Sequence, residues 1–246
     1  MKTNLFFIIL VFFGISLFAN TTNSNECKKK GENYIKAKNE CIEFFVSEGD
    51  REKTLNIIVH GTWNEGTNTL ARYSPFAENI SMATDITTIA VALPGYSGSS
   101  TNEFKALSHN DKKDLASDDE YIKFLAQLIQ NLKSKFKADS VNYIGHSAGA
   151  KMGSILSAYK PELLDNMIFA GGFYDINKIS KNKKSKILLI YGGKDLISKA
   201  KHSKDFYKQA KKENMNINIL GIQDAVHLDL DMRDESIESI SEMLEE

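Results

Sequence analysis

The sequence predicts an α/β fold: a mostly parallel central sheet with helices on both faces and antiparallel edge strands on its N-terminal side. Three observations lead there. From Leu55 onward, short apolar runs the length of buried strands alternate with longer stretches of helical period. One such run is joined to one such helix by the tight turn Gly145-His146-Ser147-Ala148-Gly149. The chain has 246 residues, enough for one sizeable domain and few for two.

Residues 1–19 stand apart. Lys2 precedes an apolar run, Leu5 to Phe18, broken only by Gly14 and Ser16. That length suits a signal peptide better than a membrane span of about 20 apolar residues. Cleavage after Ala19 leaves a single domain over 20–246, although Leu17 is larger than the small residue usual at that position. The predicted destination is outside the cytoplasm, periplasmic or secreted; an uncleaved N-terminal anchor is the alternative. Cys27 and Cys41 are the only cysteines. In an oxidising compartment they form a possible disulfide, and otherwise two free thiols.

Residues 20–31 read as a polar lead. Tyr34, Ile35, Cys41, Ile42, Phe44 and Phe45 predict one or two edge strands between Glu32 and Val46, and Ser47-Glu48-Gly49-Asp50 supplies a turn. A strand from Leu55 to Val59 follows. Leu70, Tyr73, Phe76, Ala77 and Ile80 predict a helix to Met82 with Pro75 near its start. Ile86 to Val91 is the next strand. The polar stretch 97–117 reads as a loop beside the site or a long solvated connection. Ser117-Asp118-Asp119-Glu120 predicts a capping box, ahead of a helix with Tyr121, Leu125, Leu128, Leu132 and Phe136 on one stripe. Val141 to Ile144 is a strand, Ala148 to Tyr159 a helix, Asn166 to Ala170 a strand and Ile187 to Tyr191 another. Ser198 is expected to cap a helix that turns Phe206, Tyr207 and Ala210 inward. Ile217 to Leu220 is the last strand, and Ile237, Ile240 and Leu244 mark a closing helix.

The net charge of −1 gives no electrostatic case for nucleic acid. The cluster Lys181, Lys183, Lys184 and Lys186 reads as a solvated loop before a strand. No further cysteine or paired histidine accompanies Cys27 and Cys41, so no metal site is predicted.

A serine held between two glycines, with a strand before and a helix after, is exposed at the apex of a strained turn where side chains on the flanking residues would clash. Two further residues follow strands downstream: Asp195, after the Ile187 strand, and His227, after the Ile217 strand. With these residues the chain resembles the α/β-hydrolase superfamily, in a serine esterase- or lipase-like form, from about Leu55 to the C-terminus. The order Ser, acid, His is that family's. Leu55-Asn56-Ile57-Ile58-Val59-His60-Gly61-Thr62-Trp63 is similar to its strand ending in a His-Gly turn. Leu93-Pro94-Gly95-Tyr96-Ser97-Gly98 matches its Pro-Gly-x-Gly turn more loosely.

The resemblance implies roles. Ser147 is the nucleophile, His227 the base and Asp195 the acid of the triad, with Asp175, after the Asn166 strand, as the alternative acid. The backbone N–H groups of Thr62 (Trp63 as second choice) and Ala148 form the oxyanion hole. Trp63 and Tyr96 line the substrate site or pack in the core. His60 shapes the oxyanion loop, His146 packs, and His109 and His202 are solvated. Asp224, Asp229 and Asp231 are loop or cap residues. No cofactor is implied. The expected activity is that of an exported carboxylesterase on small-molecule, short-acyl esters through an acyl-enzyme. A peptidase, a thioesterase or a non-catalytic binding protein of the same fold are the alternatives. The Gly171 to Lys186 connection is too short for a helical cap domain, leaving Thr62–Thr69 and Ser97–Ser117 as the cover. No stable membrane partner is expected unless the N-terminal segment is retained, and the sequence is silent on oligomeric state.

Overall fold

The computed structural model describes residues 27–107, 114–179 and 184–245. The apolar leader, its cleavage point, His109, Lys181 and Lys183 lie outside the described residues. Eight strands form one sheet: β1 (Tyr34–Ala37), β2 (Glu40–Ser47), β3 (Arg51–Val59), β4 (Ile86–Val91), β5 (Ser140–His146), β6 (Asn166–Ala170), β7 (Lys186–Gly192) and β8 (Ile217–Ile222). Their order is β1-β2-β4-β3-β5-β6-β7-β8. β1 pairs antiparallel with β2, and β2 with β4; every later pairing is parallel.

Among the described residues, five longer helices cover the sheet: α1 (Thr69–Thr84), α2 (Asp119–Lys135), α3 (Ala148–Tyr159), α4 (Ala200–Lys212) and α5 (Asp234–Glu245). The alternation of strand side chains divides the core into two layers. Ile57, Val59, Tyr143, Met167, Phe169 and Leu189 pack on one face with residues of α2, α3 and α4. Ile58, Ile144, Ile168, Leu188 and Ile190 pack on the other with α1 and α5. Parallel strands buried on both faces read as unbroken apolar runs, which is how they appear in the sequence.

The central strands carry one polar row. Asn142 donates its amide to Asn56 (2.9 Å), and Asn166 donates to Asn142 (2.9 Å), across β3, β5 and β6. Asn56 continues to the hydroxyl of Thr88 (3.1 Å). These asparagines stand at paired register positions, so the ladder closes only when the strands align this way.

Several local expectations change. α2 is capped by Asp118, whose carboxylate accepts from the amides of Glu120 and Tyr121, while Ser117 bonds to Asp114; the capping box does not form. α4 is preceded by Lys199, not capped by Ser198, which is buried and donates to the carbonyl of Gly172 (3.0 Å). Pro75 lies inside α1 rather than near its start. The described part of 97–117 is not merely solvated. The buried carboxylate of Glu40 accepts from the amides of Asn102, Glu103 and Phe104, and Phe104, Ala106 and Leu107 enter the core. Cys27 and Cys41 are joined as a disulfide, which ties the start of the described chain to β2.

Candidate active site

The site lies beyond the C-terminal ends of the parallel strands, where an open α/β sheet presents its loops. Ser147 separates β5 from α3 with φ 55° and ψ −116°, a conformation that non-glycine residues rarely adopt. Its amide donates to the carbonyl of Ala170 on β6 (2.8 Å), which pins the turn. A Cβ at Gly145 would come within 2.7 Å of the Ala150 backbone, and one at Gly149 would meet the Val59 and His60 carbonyls at the end of β3. The turn therefore requires glycine on both sides of the serine.

His227 bridges Ser147 and Asp195. Its Nε2 lies 2.9 Å from Ser147 Oγ and its Nδ1 2.8 Å from Asp195 Oδ2. The second carboxylate oxygen of Asp195 accepts from the amides of Ile197 (2.8 Å) and Ser198 (2.8 Å). A carboxylate so surrounded by donors accepts rather than donates, so Nδ1 carries the imidazole proton. Nε2 is then free to accept from Ser147. Asp195 and His227 are buried while Ser147 is partly open. Asp175 faces elsewhere: it is exposed, and its carboxylate caps a short 3-10 turn by accepting from Asn177 (2.9 Å).

Gly61, just past the end of β3, lies against the serine. A Cβ there would approach Ser147 Cβ to 2.7 Å and Oγ to 3.3 Å. Thr62 follows directly. Among the described residues, neither the Thr62 nor the Ala148 amide has an assigned acceptor, whereas the Trp63 amide donates to Tyr96 (3.3 Å). His60 fixes this turn. Its Nε2 accepts from the amide of Leu93 (3.0 Å), so Nδ1 donates to the carbonyl of Gly61 (2.6 Å). Burial pushes its pKa down to about 4, so it is a neutral strut.

Two expectations become specific: of the two readings of Tyr96 the structure gives packing, and His146 packs with defined partners. Tyr96 is fully buried and has no face open to a substrate. Its hydroxyl accepts from the Trp63 amide and lies against the carbonyls of Trp63 (3.0 Å) and Leu107, so it holds the loops together from inside. His146 does more than pack. It donates from Nε2 to the backbone carbonyl of His227 (2.8 Å), and its Nδ1 accepts from the Tyr73 hydroxyl (3.0 Å). Burial holds this imidazole below its usual pKa against the opposing pull of the Asp231 charge.

Asp231, read as a loop residue, is buried beside that pair, with Oδ2 3.9 Å from His146 Nδ1. Its other oxygen accepts from Arg72 (3.2 Å), which also donates to the carbonyl of Leu228 and covers the Trp63 ring at 5.4 Å. Trp63 itself is half-buried. From α1, Arg72 thus holds the His227 loop directly, and Tyr73 reaches it through His146. Neither role carries a sequence signal, because nothing in a helix marks which of its residues meet a partner 73 or 156 positions away. Among the described residues, no cluster of His, Cys, Asp and Glu is arranged to hold a metal ion.

Residues 57–182 match the family described as alpha/beta hydrolase fold. No curated protein matches the chain by sequence. Among solved structures, the chain resembles a carboxylesterase from Bacillus cereus (TM-score 0.63, 17% identity, covering 83% of this chain and 93% of that one). It also resembles the esterase Pf2001 from Pyrococcus furiosus (TM-score 0.65, 16% identity, 86% and 90%). A third is Est1E from Butyrivibrio proteoclasticus, seen with ferulic acid bound (TM-score 0.60, 14% identity, 86% and 95%). At such identities the likeness is one of fold.

Proposed function

The chain belongs to the α/β-hydrolase fold family, and from that premise we propose that it is an exported serine carboxylesterase acting on short-acyl esters. The observation that carries the reading is His227 standing between Ser147 (2.9 Å) and Asp195 (2.8 Å). Ser147 Oγ attacks the ester carbonyl carbon while His227 Nε2 takes its proton. The carbonyl oxygen becomes an oxyanion facing the amides of Thr62 and Ala148 at the head of α3. The C–O bond to the alcohol breaks, and His227 returns the proton to the leaving oxygen. A water, deprotonated by His227, then attacks the acyl-serine, releasing the acid and restoring Ser147. Asp195 keeps the imidazole in the working tautomer and stabilises its charged form.

The names of the carboxylesterase and esterase relatives favour an ester over an amide or thioester substrate. The short link after β6 favours short acyl groups, because it leaves no room for a helical cap over a long chain. Each buried CH₂ is worth about 0.8 kcal/mol, so a shallow site gains little beyond roughly six to eight carbons. The Cys27–Cys41 disulfide supports export, since such bonds persist in oxidising compartments. A fluorophosphonate probe tests the reading: it labels the wild type at Ser147 and leaves Ser147→Ala unlabelled. Labelling that survives the substitution sinks the assignment. A series of p-nitrophenyl esters tests the acyl preference, and a steady rise in kcat/KM through long chains refutes it.

A further inference from the structure

Among the described residues, seven large apolar side chains stand exposed, and five of them sit in the loops that follow β6, β7 and β8: Phe173, Leu196, Ile197, Val226 and Leu228. Leu196 (84% exposed) and Ile197 (57%) form the turn between Asp195 and α4. Phe173 lies against the head of α4, its ring 4.8 Å from that of His202 in the first turn.

This apolar turn heads a basic surface. Between Lys194 and Lys212 the chain has seven lysines and two aspartates. One of those aspartates, Asp195, is buried against His227, and the other, Asp205, pairs with Lys201. On α4, Lys201, Lys204, Lys208 and Lys211 recur at steps of three and four on the exposed side, away from the buried Phe206 and Ala210. The charge is segregated, because the whole chain is at −1. On the opposite face of the sheet, α5 carries five acidic residues and no lysine or arginine.

A solvated helix accounts for the lysines but not for an aliphatic pair at its head. Nucleic acid offers phosphates but no apolar interior for Leu196 and Ile197. An anionic bilayer offers both, with headgroups for the lysines and acyl chains below them for the aliphatics. We propose that the β7–α4 turn and the exposed stripe of α4 form a docking surface for an anionic lipid bilayer. The contact is peripheral and reversible, and it needs no N-terminal anchor. Because Leu196 adjoins Asp195, and Val226 and Leu228 flank His227, docking turns the mouth of the site toward the lipid surface.

The test is co-sedimentation of the full chain with vesicles of phosphatidylcholine alone or mixed with phosphatidylglycerol. Retention by phosphatidylcholine measures whatever the N-terminal apolar run contributes. The anionic lipid should raise retention about tenfold at low salt, and ~0.5 M salt should abolish the gain. The gain should fall to near unity in Leu196→Ser/Ile197→Ser and in Lys199→Glu/Lys208→Glu, both with unchanged thermal melts. These positions are exposed, and the Ile197 amide that serves Asp195 is backbone, so the fold is spared. Equal retention by the two lipids overturns the proposal, as does a gain that either double variant leaves intact. Preferential capture by an oligonucleotide, indifferent to Leu196 and Ile197, assigns the stripe to nucleic acid and overturns it too. Binding is read without turnover, so this result stands apart from the fate of the esterase reading.

Discussion

Asp195 and Asp175 both follow strands of the sheet, and what separates them is what each carboxylate faces. Asp195 meets an imidazole nitrogen; Asp175 caps a turn in solvent. Asp195→Asn should lower kcat on the order of 10⁴-fold, by analogy with other triads. Asp175→Asn should leave it within about twofold, the scale of a surface change. Steady-state kinetics on one ester decide between them, and reversed effects would move the acid to the earlier strand.

On the proposed mechanism, His146 acts through the His227 backbone as a positioning residue. Gln at this position keeps a donor near Nε2, whereas Leu removes it and leaves the His227 carbonyl buried without a partner. His146→Leu should reduce kcat at least tenfold with KM nearly unchanged, because the contact orients the base and touches no substrate. His146→Gln should recover most of that loss. A fall in KM-dependent terms alone, or no rescue by Gln, argues for a merely structural role. Ser147, Asp195 and His227 were legible because each sits at a strand end in a recognisable order. His146, Tyr73, Arg72 and Asp231 were not, since their partners are fixed only by tertiary approach.

At the scale of elements, apolar runs and helical periods located the strands and helices well, while their ends followed hydrogen bonds that no period encodes. Asp118 outcompetes Ser117 as a cap because its carboxylate reaches two amides at once. The row Asn56–Asn142–Asn166 was invisible for a related reason: one asparagine in an apolar run reads as noise until three strands align. Asn142→Leu should destabilise the fold by about 2–3 kcal/mol, because it strands the Asn56 carbonyl and the Asn166 amide inside the sheet. Urea unfolding measures this, and a change under about 0.5 kcal/mol, the scale of a surface substitution, would mean that the ladder contributes little. The disulfide works differently, by restricting the unfolded chain. For a loop of about 15 residues, its reduction should cost roughly 3 kcal/mol, seen as a lower melting temperature in reductant.

For the molecule as a whole, the polar groups buried around the elbow make stability depend on pH. His60 is fully enclosed, with the rings of Tyr73 (6.0 Å) and Tyr96 (4.7 Å) around it and the imidazole of His146 near enough to oppose its charging. Its pKa falls from an unfolded value near 6.5 to about 4 in the folded state. Above pH ~6.5 neither state binds the proton, and His60 exerts no penalty. Between about 6.5 and 4 only the unfolded chain binds it, so stability falls with pH at up to ~1.4 kcal/mol per unit. Below about 4 both states are protonated, and the loss levels off near 3 kcal/mol. His146 is lowered in the same direction and adds to the slope, though Asp231 restrains its share. His60→Gln keeps an acceptor for the Leu93 amide and removes the titration, so its unfolding free energy should vary less between pH 7 and pH 4.5 than that of the wild type. Parallel slopes for the two proteins would mean that His60 is not the group that makes the fold acid-sensitive.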